Sequence, residues 1–141
     1  MTVSAAETLD EDTWEALAAL LPQLSATAEP DRRVVSHVLS HEATRLLLAR
    51  IGGRVVGALT VVIVPMVSGL RAHLDDVVVD EAERGRGIGE ALVRAGVDEA
   101  RRLGARTVEL SAGPDREAAV RLYRRLGFVP RDSTIFRYEP T

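Results

Sequence analysis

Apolar positions recur at two periods along this chain, and the switches between them mark its elements. Trp14, Leu17, Leu21 and Leu24 are spaced by three and four, which predicts a helix over residues 11–24 with one apolar face. On that face Trp14 is expected to anchor the core. Pro30 and Asp31 open a second, short helix through Val34, Val35 and Val38. Residues 45–51 and 54–64 then read as two strands, joined at Gly52 and Gly53, a turn that tolerates positive φ. The second strand is rich in valine and stops at Pro65. Residues 71–80 form a third strand, after a loop at Ser68 and Gly69.

A glycine-rich turn at residues 85–89 leads into a helix that ends near Leu103. Ile88, Leu92, Gly96, Val97 and Ala100 share one side of it, and Gly104 is suited to its C-cap. A strand is expected over residues 107–112, and Pro114 and Asp115 signal a last helix. That helix turns Ala119, Leu122 and Leu126 inward and stops at Gly127, and residues 128–138 offer one or two closing strands. The order is an α/β layer on a mixed sheet. The strand–turn–helix–strand section predicts a right-handed crossover, with strands 71–80 and 107–112 parallel.

Length and composition narrow the reading. A chain of 141 residues fits one domain, and it has no cysteine for a disulfide, thiolate metal site or thiol nucleophile. All 18 of its basic residues are arginine, and asparagine is also missing, a pattern that codon bias alone explains. A formal charge of -3 argues against general nucleic-acid binding. The longest apolar run, residues 55–67, contains Gly57, Thr60 and Pro65 and is too short to span a bilayer. With no basic, apolar leader visible, the expectation is a cytoplasmic protein without a membrane partner.

The segment that carries chemistry is RGRGIG, residues 84–89, between a strand and a helix. Glycines there let backbone amides approach a ligand closely, and amides at a helix head attract anions. Arg84 and Arg86 add positive charge, so the implied ligand carries phosphates. A P-loop is excluded, because it needs a lysine. A dinucleotide fingerprint read from Gly85 would place Glu90 at the third glycine. The pattern R-x-x-G-x-G is met by Arg84, Gly87 and Gly89.

With that pattern the chain resembles the GNAT superfamily of N-acetyltransferases, over at least residues 71–130. LDDVVVDEAERGRGIG matches the pyrophosphate-binding signature in register. AAVRLYRRLGF matches a second signature through Ala119, Leu122, Tyr123, Gly127 and Phe128. The resemblance implies a single N-acetyltransferase domain over residues 1–141. Its sheet would be mixed and mostly antiparallel, of six to seven strands with about four helices and a central, splayed parallel pair. It implies acetyl-CoA as donor and no metal. The pyrophosphate would rest on the amides of Arg84, Gly85, Arg86, Gly87, Ile88 and Gly89, with Ala119 among the cofactor contacts. The pantetheine arm would pair with main-chain groups of Val77 and Val79.

The same resemblance gives Tyr123 the role of general acid. Strand alternation puts His73, Asp75, Val77 and Val79 on one side. Beside the cofactor position, Asp75 is therefore the first candidate base and His73 the second. Asp76 faces away, as a structural carboxylate, unless a bulge intervenes. Glu109 and Ser111 are outside candidates. Where the family often has asparagine, this chain has Arg116, which cannot accept a hydrogen bond. Arg121, Arg124 and Arg125 either reach the 3′-phosphate of CoA or lie solvated.

The expected activity is acetyl transfer to a primary amine by direct attack, the acceptor being a small molecule or a protein amine. The competing reading is a non-catalytic acyl-CoA-binding regulatory module, which would need neither Asp75 nor Tyr123. By family analogy a homodimer through the C-terminal strands is expected.

Overall fold

A computed structural model describes residues 1–112 and 116–141 of the chain. It divides into two units, Met1–Ser111 and Ala112–Thr141. The first carries the sheet, in which β1 (Thr2–Ala5), β2 (Thr44–Ile51), β3 (Arg54–Met66), β4 (Gly69–Val79) and β5 (Thr107–Glu109) lie side by side in chain order. Neighbours are antiparallel except β4 and β5, which are parallel. The parallel pairing is as expected, and α3 (Ile88–Arg102) connects the two strands. The sheet has five strands rather than six or seven. Residues 128–138 contain no strand, so the parallel pair lies at the edge and not at the centre. Val129, Ile135, Phe136 and Tyr138 of that tail are exposed.

Opposite faces of the sheet take different helices. Leu46 and Leu48 of β2, Ala58 of β3 and Val78 of β4 pack with Leu17 and Leu20 of α1 (Glu11–Leu24). Val35, Val38 and Leu39 of α2 (Arg32–Ser40) lie against the same cluster. On the other face α3 buries Ile88, Leu92, Val93, Gly96 and Ala100, close to the expected set. It approaches at two glycines. A Cβ on Gly96 would come within 3.1–3.2 Å of Leu74 and Leu59. One on Gly57 would meet Leu92 at 3.0 Å and the Val78 carbonyl at 3.1 Å.

α1 begins where Asp10 accepts a hydrogen bond from the Thr13 amide at 2.8 Å. Its buried residues are Thr13, Leu17 and Leu20, and Leu24 packs against the core; Leu17 and Leu24 lie inward as expected, while Thr13 and Leu20 take the buried places expected of Trp14 and Leu21. Trp14 is consequently half-buried, with the Arg32 guanidinium 5.8 Å from its ring centre. It fastens α1 to α2 instead of anchoring the core. In the second unit α4 (Glu117–Arg125) is amphipathic, with Tyr123 edge-on to Phe128 at 6.1 Å. The helix start expected at Pro114 and Asp115 lies outside the described residues.

Candidate active site

The phosphate-binding candidate is built at the end of β4. Asp80 donates its amide to the Val56 carbonyl at 2.8 Å, and a short 3-10 turn, Glu81–Glu83, follows. The Asp80 side chain caps that turn at Ala82, and Gln23 of α1 accepts from the Glu81 amide at 2.9 Å. The chain then crosses Gly85 at φ 83° and reaches Gly87 at φ 77°, the N-cap of α3. No side chain caps α3 there. A helix head with a glycine cap keeps its first amides available to an anion. Space above them is also open: a Cβ on Gly85 or Gly87 would meet nothing within 4 Å. The loop therefore fits a phosphate group resting on backbone.

The two loop arginines are tied back to the protein. Arg84 Nε donates to the Val79 carbonyl at 3.3 Å, and Arg86 pairs with Glu83 at 3.0 Å. Sequence reasoning took both as charge for the ligand and passed over Glu83, which is buried. The available signal was a carboxylate directly before Arg84 and three residues before Arg86.

The second part of the site is a wedge. β4 pairs with β5 only over Arg71–Thr107, Ala72–Val108 and His73–Glu109. Beyond His73, β4 continues to Val79 with no β5 partner, which leaves that edge of Val77 and Val79 without a strand on the β5 side. An extended ligand arm could pair with that edge.

A bulge changes how the carboxylates are placed. Thr60 pairs with Asp75 and Ala58 with Val78, so Asp76 and Val77 together oppose the single residue Leu59. Asp76 takes φ 53°. Left-handed backbone is uncommon outside glycine, although aspartate tolerates it better than most. His73, Asp75, Val77 and Val79 therefore do not share one side. His73 and Asp75 pair with Val62 and Thr60 and lie on the α1–α2 face, while Val79 turns to α3, 3.9 Å from where a Cβ of Gly89 would sit. Asp75 and Asp76 are both surface-accessible. Desolvation of the Asp76 carboxyl, followed by the charge of Asp75, raises its pKa above the usual carboxylate range.

Tyr123 and Ala119 belong to α4, in the second unit. Burial raises the Tyr123 pKa, and the Arg116 charge opposes this only in part. Among the described residues no cluster of histidine, aspartate and glutamate could hold a metal ion. No helix there is long and apolar enough to cross a membrane.

Comparison with known proteins fits this geometry. Residues 7–128 match the model of the acetyltransferase (GNAT) family. The chain is 34% identical over 111 residues to a glucosamine 6-phosphate N-acetyltransferase of Trypanosoma brucei brucei, covering 75% of this chain and 68% of that protein. It is 39% identical over 61 residues to an uncharacterized N-acetyltransferase of Methanocaldococcus jannaschii, a match covering 43% of this chain and only 27% of that protein. The crystal structure of glucosamine-6-phosphate N-acetyltransferase from Arabidopsis thaliana has the same fold, with a TM-score of 0.80 at 20% identity over 98% of this chain and 99% of that one.

Proposed function

Because this chain belongs to the GNAT acetyltransferase family, we propose that it moves an acetyl group from acetyl-CoA to a primary amine by direct attack. The carrying observation is the uncapped, glycine-lined head of α3 beside the unpaired edge of β4. That arrangement offers amides to a pyrophosphate and an extended edge to a pantetheine arm.

When bound, the donor supplies a thioester carbonyl and a thiolate leaving group. An alkylamine arrives protonated at neutral pH, its pKa being about 10.4. The chain must take that proton before nitrogen can attack. We assign this to the acidic pair on β4. Asp75 keeps its place as first candidate, with His73 second, and the bulge adds Asp76. Desolvation raises the Asp76 pKa, which suits that carboxylate to accepting a proton. As the C–N bond forms and the C–S bond breaks, Tyr123 delivers its phenolic proton to sulfur, and the second proton lost from the attacking nitrogen restores the phenol. A phenol with a raised pKa is fully protonated at neutral pH, as that role requires.

The acceptor follows from the relatives only as a class. The T. brucei protein is named for an amino sugar phosphate, and a small amine of that kind suits the exposed carboxylates of Asp75 and Asp76. The test is a panel of amines, glucosamine 6-phosphate included, assayed by free-thiol release from acetyl-CoA. Acetyl-CoA that binds and raises the unfolding temperature, with no thiol released for any amine, would favour a regulatory acyl-CoA-binding module.

A further inference from the structure

Glu83 lies where ion pairs fasten the phosphate loop to the sheet. Its side chain is 11% exposed, and two arginines from different elements meet on it. Arg54, the first residue of β3, reaches one carboxylate oxygen at 2.7 Å, and Arg86 of the loop reaches the other at 3.0 Å. Taking a carboxylate out of water is costly unless charged partners meet it. Here the pairing also spans the structure, because Arg54 follows the Gly52 and Gly53 turn while Arg86 immediately precedes the N-cap of α3.

We propose that Glu83 is a positioning residue for donor binding, acting through Arg86 and anchored by Arg54. The proposal rests on the acetyl-CoA reading above. Without Glu83, two guanidinium groups would face each other beside the positive end of α3, and the segment between Arg84 and Gly87 would have to shift. With it, the Arg86 side chain is held to the protein, and the amides from Gly85 to Gly89 stand ready before any ligand arrives. Pre-organisation of this kind acts on affinity and leaves the chemical step alone. Arg54 contributes to donor affinity without contacting the donor.

The experiment is calorimetric titration of acetyl-CoA into the wild type, Glu83→Gln, Arg54→Ala, Arg54→Lys and the double variant Glu83→Gln/Arg54→Ala, with the unfolding midpoint of each free protein. Glu83→Gln and Arg54→Ala should each weaken binding about tenfold, and the double variant should be no weaker than Glu83→Gln alone, because coupled residues are not additive. Arg54→Lys should recover most of the loss. A purely structural role would instead lower the unfolding midpoints and give additive effects. An unchanged or tightened Kd in Glu83→Gln, with binding intact in the wild type, overturns the positioning role alone. Wild-type protein that fails to bind acetyl-CoA overturns the donor reading and this inference with it. Should Glu83→Gln fail to fold, unchanged binding in Arg54→Ala overturns the proposal and weakened binding rescued by lysine supports it.

Discussion

Asp75 and Asp76 are consecutive in the chain yet lie on either side of a break in the β3–β4 ladder. Asp75 keeps its partner, Thr60, while Asp76 swings into left-handed backbone opposite Leu59. The bulge brings two like charges together at the foot of the wedge between β4 and β5.

That relationship predicts a trade between stability and activity at Asp76. A carboxylate whose pKa is raised by folding penalises the folded state once it ionises. The contribution is favourable while the group is protonated and is lost as pH rises through its folded pKa. Asp76→Asn removes the penalty, and asparagine also accepts left-handed backbone. The variant should unfold at a higher temperature than the wild type at pH 7, with the gap narrowing on acidification below the ordinary aspartate value. It should also lose turnover. Thermal scans across pH, beside the thiol-release assay, check both; equal unfolding temperatures at pH 7 would contradict the burial argument.

Tyr123→Phe should reduce kcat by about a hundredfold, the usual scale for losing a general acid. Acetyl-CoA binding should be untouched. Activity in the wild type should decline only above the ordinary tyrosine pKa, since burial holds the phenol protonated. The alkaline limb should vanish in the phenylalanine variant. Steady-state kinetics from pH 6 to 11 decides this.

At the loop, Gly87→Ala puts a Cβ on a residue at φ 77° with open space around it. The cost to the fold is that of left-handed backbone alone, about 1–2 kcal/mol. Binding should suffer more, because this residue sets the direction of the first amides of α3. A rise in Kd for acetyl-CoA of about tenfold or more is expected by titration.

Gly57→Ala tests the packing beneath the site. The new methyl would sit 3.1 Å from the Val78 carbonyl and 3.0 Å from Leu92. Backbone cannot yield as a leucine tip can, so destabilisation of about 1–3 kcal/mol is expected from chemical denaturation. Gly96→Ala, whose nearest contacts are the side chains of Leu74 and Leu59, should cost less.

Much of this was legible in the chain. The order of helices and strands from residue 11 to α4, the parallel pairing, the glycine loop and the buried stripe of α3 follow from periodicity and turn residues. What escaped had no local signal. β1 is a mostly exposed run of four residues whose strand state comes from pairing with β2. The bulge cannot be seen in LDDVVV, because period-two alternation assumes an unbroken ladder. Trp14 looked like core because a large aromatic on an apolar stripe usually is, but Arg32 offered it a cation at the surface. The tail residues Ile135, Phe136 and Tyr138 carry strand-like composition without a strand to pair with among the described residues. The role proposed for Tyr123 rests on its signature and has no separate signal in periodicity.

The short ladder between β4 and β5 also bears on how the molecule assembles and breathes. β1 to β4 pair antiparallel with their neighbours along the sheet, and the β3–β4 hairpin closes over a very short turn. β5 must wait until α3 has formed and carried the chain back, and it then gains only three paired residues. Long-range pairing of that kind costs loop-closure entropy for little return, so it is expected to form late and open early. Amide hydrogens of Thr107, Val108 and Glu109 should exchange faster than those of Leu46 to Leu48. The β4–β5 seam is thus the last part of the sheet to be completed, and a ligand lodged beside it, as proposed for the donor, would close a weakly protected edge.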